Sequence, residues 1–133
     1  SRGAKDTDLL SVMCNNILPE LLEFAPEYIV LQAGADGLVE DPQSGLCYSN
    51  HGYWRAVSMI LELEIPILVL GGGGYNPYTT ARAWAGVWAL IIGQNPHVAE
   101  CVAESKAVLE SLYFPHRLGK NIPGRWVSRL YDD

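Results

Sequence analysis

Four consecutive glycines, Gly71 to Gly74, constrain the fold of this chain more than any other feature. Glycine has no Cβ, so the backbone here can take positive φ values and another group can approach it closely. The apolar run 65–70 before the glycines is typical of a buried parallel strand, and the segment 79–93 after them predicts a helix. This order predicts an α/β fold, in which ligands bind beyond the carboxyl ends of the strands.

The glycine loop taken alone leaves two interpretations open. It is either one wall of a binding site or a tight strand-to-helix turn that packs Tyr75. A dinucleotide fingerprint is excluded, because its third glycine would fall on Asn76. A phosphate-binding loop is excluded as well, since no Gly-Lys-Ser/Thr sequence follows.

A second apolar run, 28–33, favours the binding site. It ends in Gly34-Ala35-Asp36, and the segment 49–63 between the two runs is long enough for one crossover helix. A right-handed crossover places both strand ends at the same edge of one sheet. We therefore expect Asp36 and Tyr75 to face one crevice, although an aspartate after a strand is also typical of a turn former or a helix cap.

Several segments, in this order, resemble the C-terminal half of the zinc-dependent histone deacetylase superfamily. They are 30–36 (VLQAGAD), 40–42 (EDP), 70–76 (LGGGGYN) and 80–84 (TARAW). The segments 41–50 and 122–126 (IPGRW) are similar to the bacterial acetoin-utilisation deacetylases. The resemblance runs from about Asp8 to the end of the chain.

The resemblance implies a partial arginase/deacetylase-like three-layer α/β fold with parallel strands and crossover helices. Residues 1–133 would form a single domain that corresponds to the C-terminal portion of the catalytic domain. Asp36 would be one of the three protein ligands of the catalytic zinc. Tyr75 would be the catalytic residue that donates a hydrogen bond to the acetyl carbonyl. The glycines Gly72, Gly73 and Gly74 would line the substrate tunnel.

The chain also departs from the family pattern. It contains no Asp-x-His motif, which carries the other two zinc ligands, and no pair of adjacent histidines. We interpret its histidines as structural or surface residues; they are His51, His97 and His116. We therefore expect zinc in complete family members but not in this chain alone, and hence a truncated deacetylase-like protein that is inactive by itself. The alternative is a hydrolase of acetyl-lysine, acetylpolyamine or a similar amide, completed by a partner chain.

Partners are constrained by the strands and by the net charge. Both strands are apolar along their whole length and need cover on both faces, which predicts a homodimer or a complementary N-terminal-half chain. Nine basic against fifteen acidic residues give a net charge of −6, which argues against nucleic acid and anionic membranes as partners. Three scattered cysteines without a C-x-x-C motif indicate reduced thiols in a cytoplasmic protein.

The remaining pattern predicts the helices. A first helix is capped by Asp6 or Thr7 and kinks near Asn15, because Pro19 interrupts it. A last helix spans 98–111. The crossover helix is expected to bury Trp54, Val57, Ile60 and Leu61. The helix after the glycines is expected to pack through Trp84, Val87, Trp88 and Ile91.

Overall fold

Two parallel strands form the centre of the fold. In the computed structural model, which describes residues 2–115 and 122–132, β1 (Ile29–Gln32) pairs with β2 (Ile67–Leu70) in parallel. Ile29 lies opposite Ile67. The predicted strand pair and its helical crossover are therefore confirmed.

Six α-helices and two short helical segments are found in the described part of the chain. The α-helices are α1 (Asp6–Val12), α2 (Leu18–Phe24), α3 (Asn50–Leu61), α4 (Pro77–Ile91), α5 (Ala103–Ser111) and α6 (Arg125–Ser128). A π-helical segment, Met13–Ile17, joins α1 to α2, and a 3₁₀ turn, Pro96–Val98, lies between α4 and α5. Within residues 2–115 and 122–132, every helix is too short or too polar to span a lipid bilayer.

The first helix is interrupted where the sequence predicts a kink. The π-helical segment contains Asn15, in keeping with the tendency of π-bulges and prolines to break regular α-helix. The predicted cap is wrong: Lys5 is the N-cap residue, and its N–H donates to the Asp8 carboxylate at 2.8 Å. Asp6 is the first residue of the helix, and its carboxylate accepts hydrogen bonds from the Ser49 amide and hydroxyl.

The crossover helix α3 agrees closely with its prediction. Ser49 caps it by accepting a hydrogen bond from the Gly52 N–H at 3.2 Å. Trp54 is fully buried, and Val57 and Ile60 are each about 5% exposed, whereas Leu61 is only partly buried. The helix therefore covers the sheet with the predicted face.

The packed face of α4 differs from the prediction. Val87 is buried, but Trp84, Trp88 and Ile91 are 39%, 63% and 42% exposed. The physical reason is the close approach of α3: a Cβ at Gly86 would overlap the Trp54 indole, whose Nε1–H donates to the Ala83 carbonyl at 2.9 Å. The buried residues of α4 are therefore mostly small or polar, and they include Thr79, Thr80, Arg82, Ala83 and Gly86.

The two faces of the sheet have different surroundings. Ile29, Leu31, Ile67 and Val69 pack against core residues of the π-helical segment, α3 and α4. Side chains on the opposite face are exposed; Val30, Leu68 and Leu70 are 59%, 57% and 45% exposed. The predicted cover is thus provided on one face by the described residues.

The C-terminal segment closes the helical side. The guanidinium of Arg82, which is 1% exposed, donates to the carbonyls of Arg129 and Tyr131 and pairs with the Asp132 carboxylate at 2.9 Å. Asn50 Nδ2 donates to the Leu130 carbonyl at 2.8 Å. The last long helix begins at Ala103 rather than at 98, because Asn95 caps the separate 3₁₀ turn through the His97 N–H.

Candidate functional site

A cavity of about 620 Å³ opens at the carboxyl end of β1, and both Asp36 and Tyr75 line it. The expectation that these two side chains face one crevice is therefore confirmed. Most of the other lining is apolar or aromatic and includes Met13, Leu31 and Tyr53. Small-molecule sites usually have a largely apolar wall with a few polar groups.

The position of Asp36 follows from how β1 ends. The carbonyl of Ala33 accepts hydrogen bonds from the Tyr53 hydroxyl and from Trp84 Nε1, both at 2.8 Å. Two residues on, the Ala35 N–H donates to the Gly73 carbonyl at 2.6 Å. The loop that carries Asp36 is thus fastened to α3, to α4 and to the glycine loop, while the Asp36 side chain stays exposed.

The glycines allow the two loops to approach each other. A Cβ at Gly73 would overlap the Asp36 carboxylate, and a Cβ at Gly72 would lie 2.8 Å from Gly34 Cα. Gly74 has φ +154° and would place a Cβ 2.5 Å from Thr80 Oγ1. None of Gly72, Gly73 and Gly74 is among the described residues that line the cavity, so their role in a substrate tunnel stays a prediction.

Tyr75 is held through its backbone. Its side chain is 48% exposed, and its N–H donates to Asp41 Oδ2 at 2.6 Å. Asp41 is 2% exposed, and next to it the Glu40 carbonyl accepts a hydrogen bond from Asn76 Nδ2 at 3.0 Å. The sequence motif 40–42 signalled this segment, but sequence reasoning did not assign Asp41 a contact with Tyr75.

Tyr53 is a site residue that sequence reasoning missed. Burial, and secondly the negative charge of Asp36, raise the pKa of Tyr53 to about 12. The phenol therefore stays protonated at neutral pH and continues to donate to the Ala33 carbonyl. No sequence motif marked Tyr53, because its role depends on the packing of α3 against the end of β1.

The donor set near Asp36 does not fit a zinc ion. Among residues 2–115 and 122–132, no group of three or more His, Cys, Asp or Glu side chains could hold a metal. A catalytic zinc takes three protein ligands and keeps one open position. Asp36 alone falls short of that requirement.

Two of the histidines contact each other. His51 Nδ1 lies 2.6 Å from His97 Nδ1, and the rings stack with centroids 4.7 Å apart. His51 Nε2 lies 3.0 Å from the Asp132 carbonyl. Burial, and then the charge of His51, lower the pKa of His97. Neither ring lines the cavity of Asp36 and Tyr75, and His116 lies outside the described residues.

A comparison with protein families identifies the family to which this chain is similar. The model of the histone deacetylase domain matches residues 1–91, a range that includes both Asp36 and Tyr75. The chain belongs to the histone deacetylase domain family. Members of this family are zinc-dependent deacetylases in general, which confirms the broader part of the resemblance seen in the sequence.

Individual relatives agree with this assignment. The chain is 39% identical to histone deacetylase 8 of Xenopus laevis over 84 residues. The aligned segment covers 62% of this chain and 26% of that protein. A crystal structure of a histone deacetylase homologue complexed with SAHA superposes with a TM-score of 0.85 at 29% identity. That superposition covers 100% of this chain and 36% of the homologue.

A second crystal structure, of a histone deacetylase homologue from Aquifex aeolicus, superposes equally well. Its TM-score is 0.85 at 29% identity, over 99% of this chain and 35% of the homologue. These superpositions confirm the predicted arginase/deacetylase-like α/β fold. This chain spans about a third of the length of these two solved structures and about a quarter of the length of the Xenopus relative.

Proposed function

We propose that this chain is the C-terminal portion of a deacetylase catalytic domain, from the acetoin-utilisation branch, and that it does not hydrolyse amides by itself. Asp36 is a single zinc ligand in this proposal, and Tyr75 is the group that hydrogen-bonds the acyl carbonyl. One observation carries it: Asp36 and Tyr75 share one cavity whose described residues provide no complete set of metal ligands.

The role of Tyr75 rests on its chemistry and its place. A phenol is a hydrogen-bond donor that can stabilise negative charge developing on a carbonyl oxygen. Tyr75 lies at the exit of the glycine loop, half exposed, on the same cavity as the carboxylate. In this proposal its hydroxyl orients the acyl carbonyl and stabilises the oxyanion of the tetrahedral intermediate.

The open face of the sheet favours a second candidate, in which a partner chain completes the hydrolase. Val30 and Leu68 are more than half exposed, and parallel sheets are normally covered on both faces. A chain that carries an Asp-x-His motif and paired histidines would cover this face and add the missing groups. A second copy of this chain would cover the face without adding the Asp-x-His motif or the paired histidines. In this proposal a homodimer is therefore inactive.

The first test measures zinc and hydrolysis together. The purified chain is stripped with a chelator, reloaded with zinc, and assayed for bound metal and for acetyl-lysine hydrolysis, with Asp36→Asn as the matched control. We expect zinc at background in both proteins and no hydrolysis. One tightly bound zinc per chain that disappears in Asp36→Asn, or measurable hydrolysis, overturns the proposed inactivity.

Tyr75→Phe tests the second candidate. In an assembly with a complementary chain, we expect this change to lower kcat by about a hundredfold or more, since a single oxyanion donor contributes about that factor. The fold should be unaffected because only a half-exposed hydroxyl is lost. Unchanged kcat in a properly assembled variant contradicts the role of Tyr75.

A further inference from the structure

We propose that Asp41 is a positioning residue for Tyr75. Its buried carboxylate fixes the Tyr75 peptide and thereby the direction in which the phenol leaves the glycine loop. The catalytic meaning of this contact rests on the function proposed for Tyr75, whereas the contact itself can be tested without any hydrolysis.

Each oxygen of the Asp41 carboxylate accepts a hydrogen bond from one backbone N–H group. Its Oδ2 accepts the Tyr75 N–H at 2.6 Å and its Oδ1 accepts the Gln43 N–H at 2.8 Å. Asp41 is 2% exposed, and no Lys, Arg or His of the described residues forms an ion pair with it. A hydrogen bond to an ionised acceptor is roughly twice as strong as a neutral one. The two N–H groups are therefore the stabilising partners of a buried charge, and Tyr75 is one of them.

Tyr75 depends on this contact because the glycines before it have no side chains that could fix the backbone. Gly71 to Gly74 lack the side chains that would restrict φ and ψ. The Tyr75 side chain itself is 48% exposed, so surrounding side chains restrain its ring only in part. The direction in which the Tyr75 Cα–Cβ bond leaves the loop thus follows from the peptide that Asp41 holds.

The next residue is held by the same segment. Asn76 is fully buried, its Nδ2 donates to the Glu40 carbonyl at 3.0 Å, and its Oδ1 caps α4 through the Tyr78 N–H at 3.1 Å. Glu40 and Asp41 therefore hold two successive residues at the exit of the glycine loop. One contact secures the start of α4, and the other sets the residue that reaches the cavity.

This segment is itself anchored to the C-terminal part of the chain. The Glu40 carboxylate pairs with the Arg125 guanidinium and accepts a hydrogen bond from Trp126 Nε1 at the start of α6. Trp126 is fully buried. Since the anchor does not move freely, removal of the Asp41 carboxylate should release Tyr75 rather than shift the whole segment.

The precision of this placement matters for the proposed chemistry. A displacement of about 1 Å in a reacting group can cost about a hundredfold in rate. In an assembled hydrolase, loss of the Asp41 contact should therefore lower kcat with little change in KM. Such a split separates a positioning role from a general loss of substrate binding.

Nuclear magnetic resonance on the full chain tests the contact directly. Nitrogen-15 labelling reports amide exchange at Tyr75, and 3-fluorotyrosine labelling reports its ring, with the ring signal assigned by its absence in Tyr75→Phe. In Asp41→Ala we expect Tyr75 amide exchange to rise at least about tenfold, which corresponds to about 1.4 kcal/mol. The fluorine signal should move toward that of the unfolded chain.

Two variants make the test decisive. Asp41→Asn keeps the shape and one acceptor oxygen, so a smaller rise in Tyr75 exchange is expected, and it replaces Asp41→Ala if that protein does not fold. Asp6→Asn is the matched control, because the Asp6 carboxylate also accepts a backbone N–H, from Ser49, and Asp6 is not among the described residues that line the cavity. Asp6→Asn should leave both Tyr75 signals unchanged.

Unchanged Tyr75 exchange and an unchanged fluorine signal in a folded Asp41 variant overturn the proposal. An equal change in Asp6→Asn overturns it as well, since the effect would then be global. If no assembly of the chain with a complementary chain hydrolyses any amide, the catalytic role proposed for Tyr75 fails while the two Tyr75 signals still report on Asp41. The two failures are therefore distinguishable.

Discussion

The helix-covered face and the open face of the sheet contain the same kinds of residue but differ in what lies over them. Ile29, Leu31, Ile67 and Val69 pack under helices, whereas Val30, Leu68 and Leu70 lie at the surface. Apolar burial contributes roughly 25 cal/mol per Å², so the covered face supplies stability that the open face does not. Apolar sequence in a parallel strand therefore indicates the cover that a complete fold needs, and not the cover that a given chain provides.

The largest expected difference is between two tryptophans. Trp54 is fully buried under the covered face, whereas Trp88 is 63% exposed on α4. We expect Trp54→Ala to lower the free energy of unfolding by about 3–5 kcal/mol, the usual cost of emptying a buried aromatic site. Trp88→Ala should cost less than about 1 kcal/mol. Urea denaturation of both variants measures the two losses of stability. Equal losses would mean that the buried Trp54 and the exposed Trp88 contribute equally to the free energy of unfolding.

Neighbouring residues of β2 provide a smaller and sharper comparison. Ile67 packs under the helices, while the side chain of Leu68 points to the opposite, open face. We expect Ile67→Thr to cost about 1–2 kcal/mol and Leu68→Thr to change stability by less than about 0.5 kcal/mol. Sedimentation of Leu68→Thr adds a second result. A shift toward monomer would show that the open face mediates self-association, and an equally large loss of stability would contradict the assignment of faces.

The smallest expected effect is a dependence on pH confined to the helical side. The Asp132 carbonyl can only accept, so His51 Nε2 carries the proton and His51 Nδ1 accepts from His97 Nδ1. The pKa of His97 is lowered from 6.5 in the fold, so the unfolded chain binds more protons just below that pH. Stability is therefore retained above 6.5 and falls as the pH decreases.

Urea midpoints at about pH 7.5 and about pH 5.5 measure this effect. His97→Gln should show a weaker dependence in this interval, because the carboxylates that dominate acid unfolding titrate at lower pH. An identical dependence in the variant would exclude His97 as its source.

Sequence patterns predicted those parts of the fold that depend on local chemistry. Continuous apolar runs bounded by glycine identified both strands, and Ser49 marked the start of α3. The packed face of α4 was mispredicted because that helix is apolar nearly all round, so residue type does not indicate which side is buried. The buried side is decided by the Trp54 indole, which lies so close to Gly86 that a Cβ at this position would overlap it.

The candidate site shows the same limit. Asp36 and Tyr75 were predicted to share a crevice because the ends of parallel strands meet at one edge of a sheet. The contact of Asp41 with Tyr75 joins residues 34 positions apart, and that of His51 with His97 joins residues 46 apart. Hydrophobic periodicity along the sequence does not predict contacts between residues so far apart. They depend on how loops fold back over the helices.

The double hydrogen bond to the Ala33 carbonyl has a mechanical consequence. One donor comes from α3 and the other from α4, and both donate at once to the same carbonyl oxygen just before the loop of Asp36. Sliding of either helix along the other must therefore lengthen one bond or pull the end of β1 with it. The position of the Asp36 loop at the cavity mouth therefore depends on the spacing of α3 and α4.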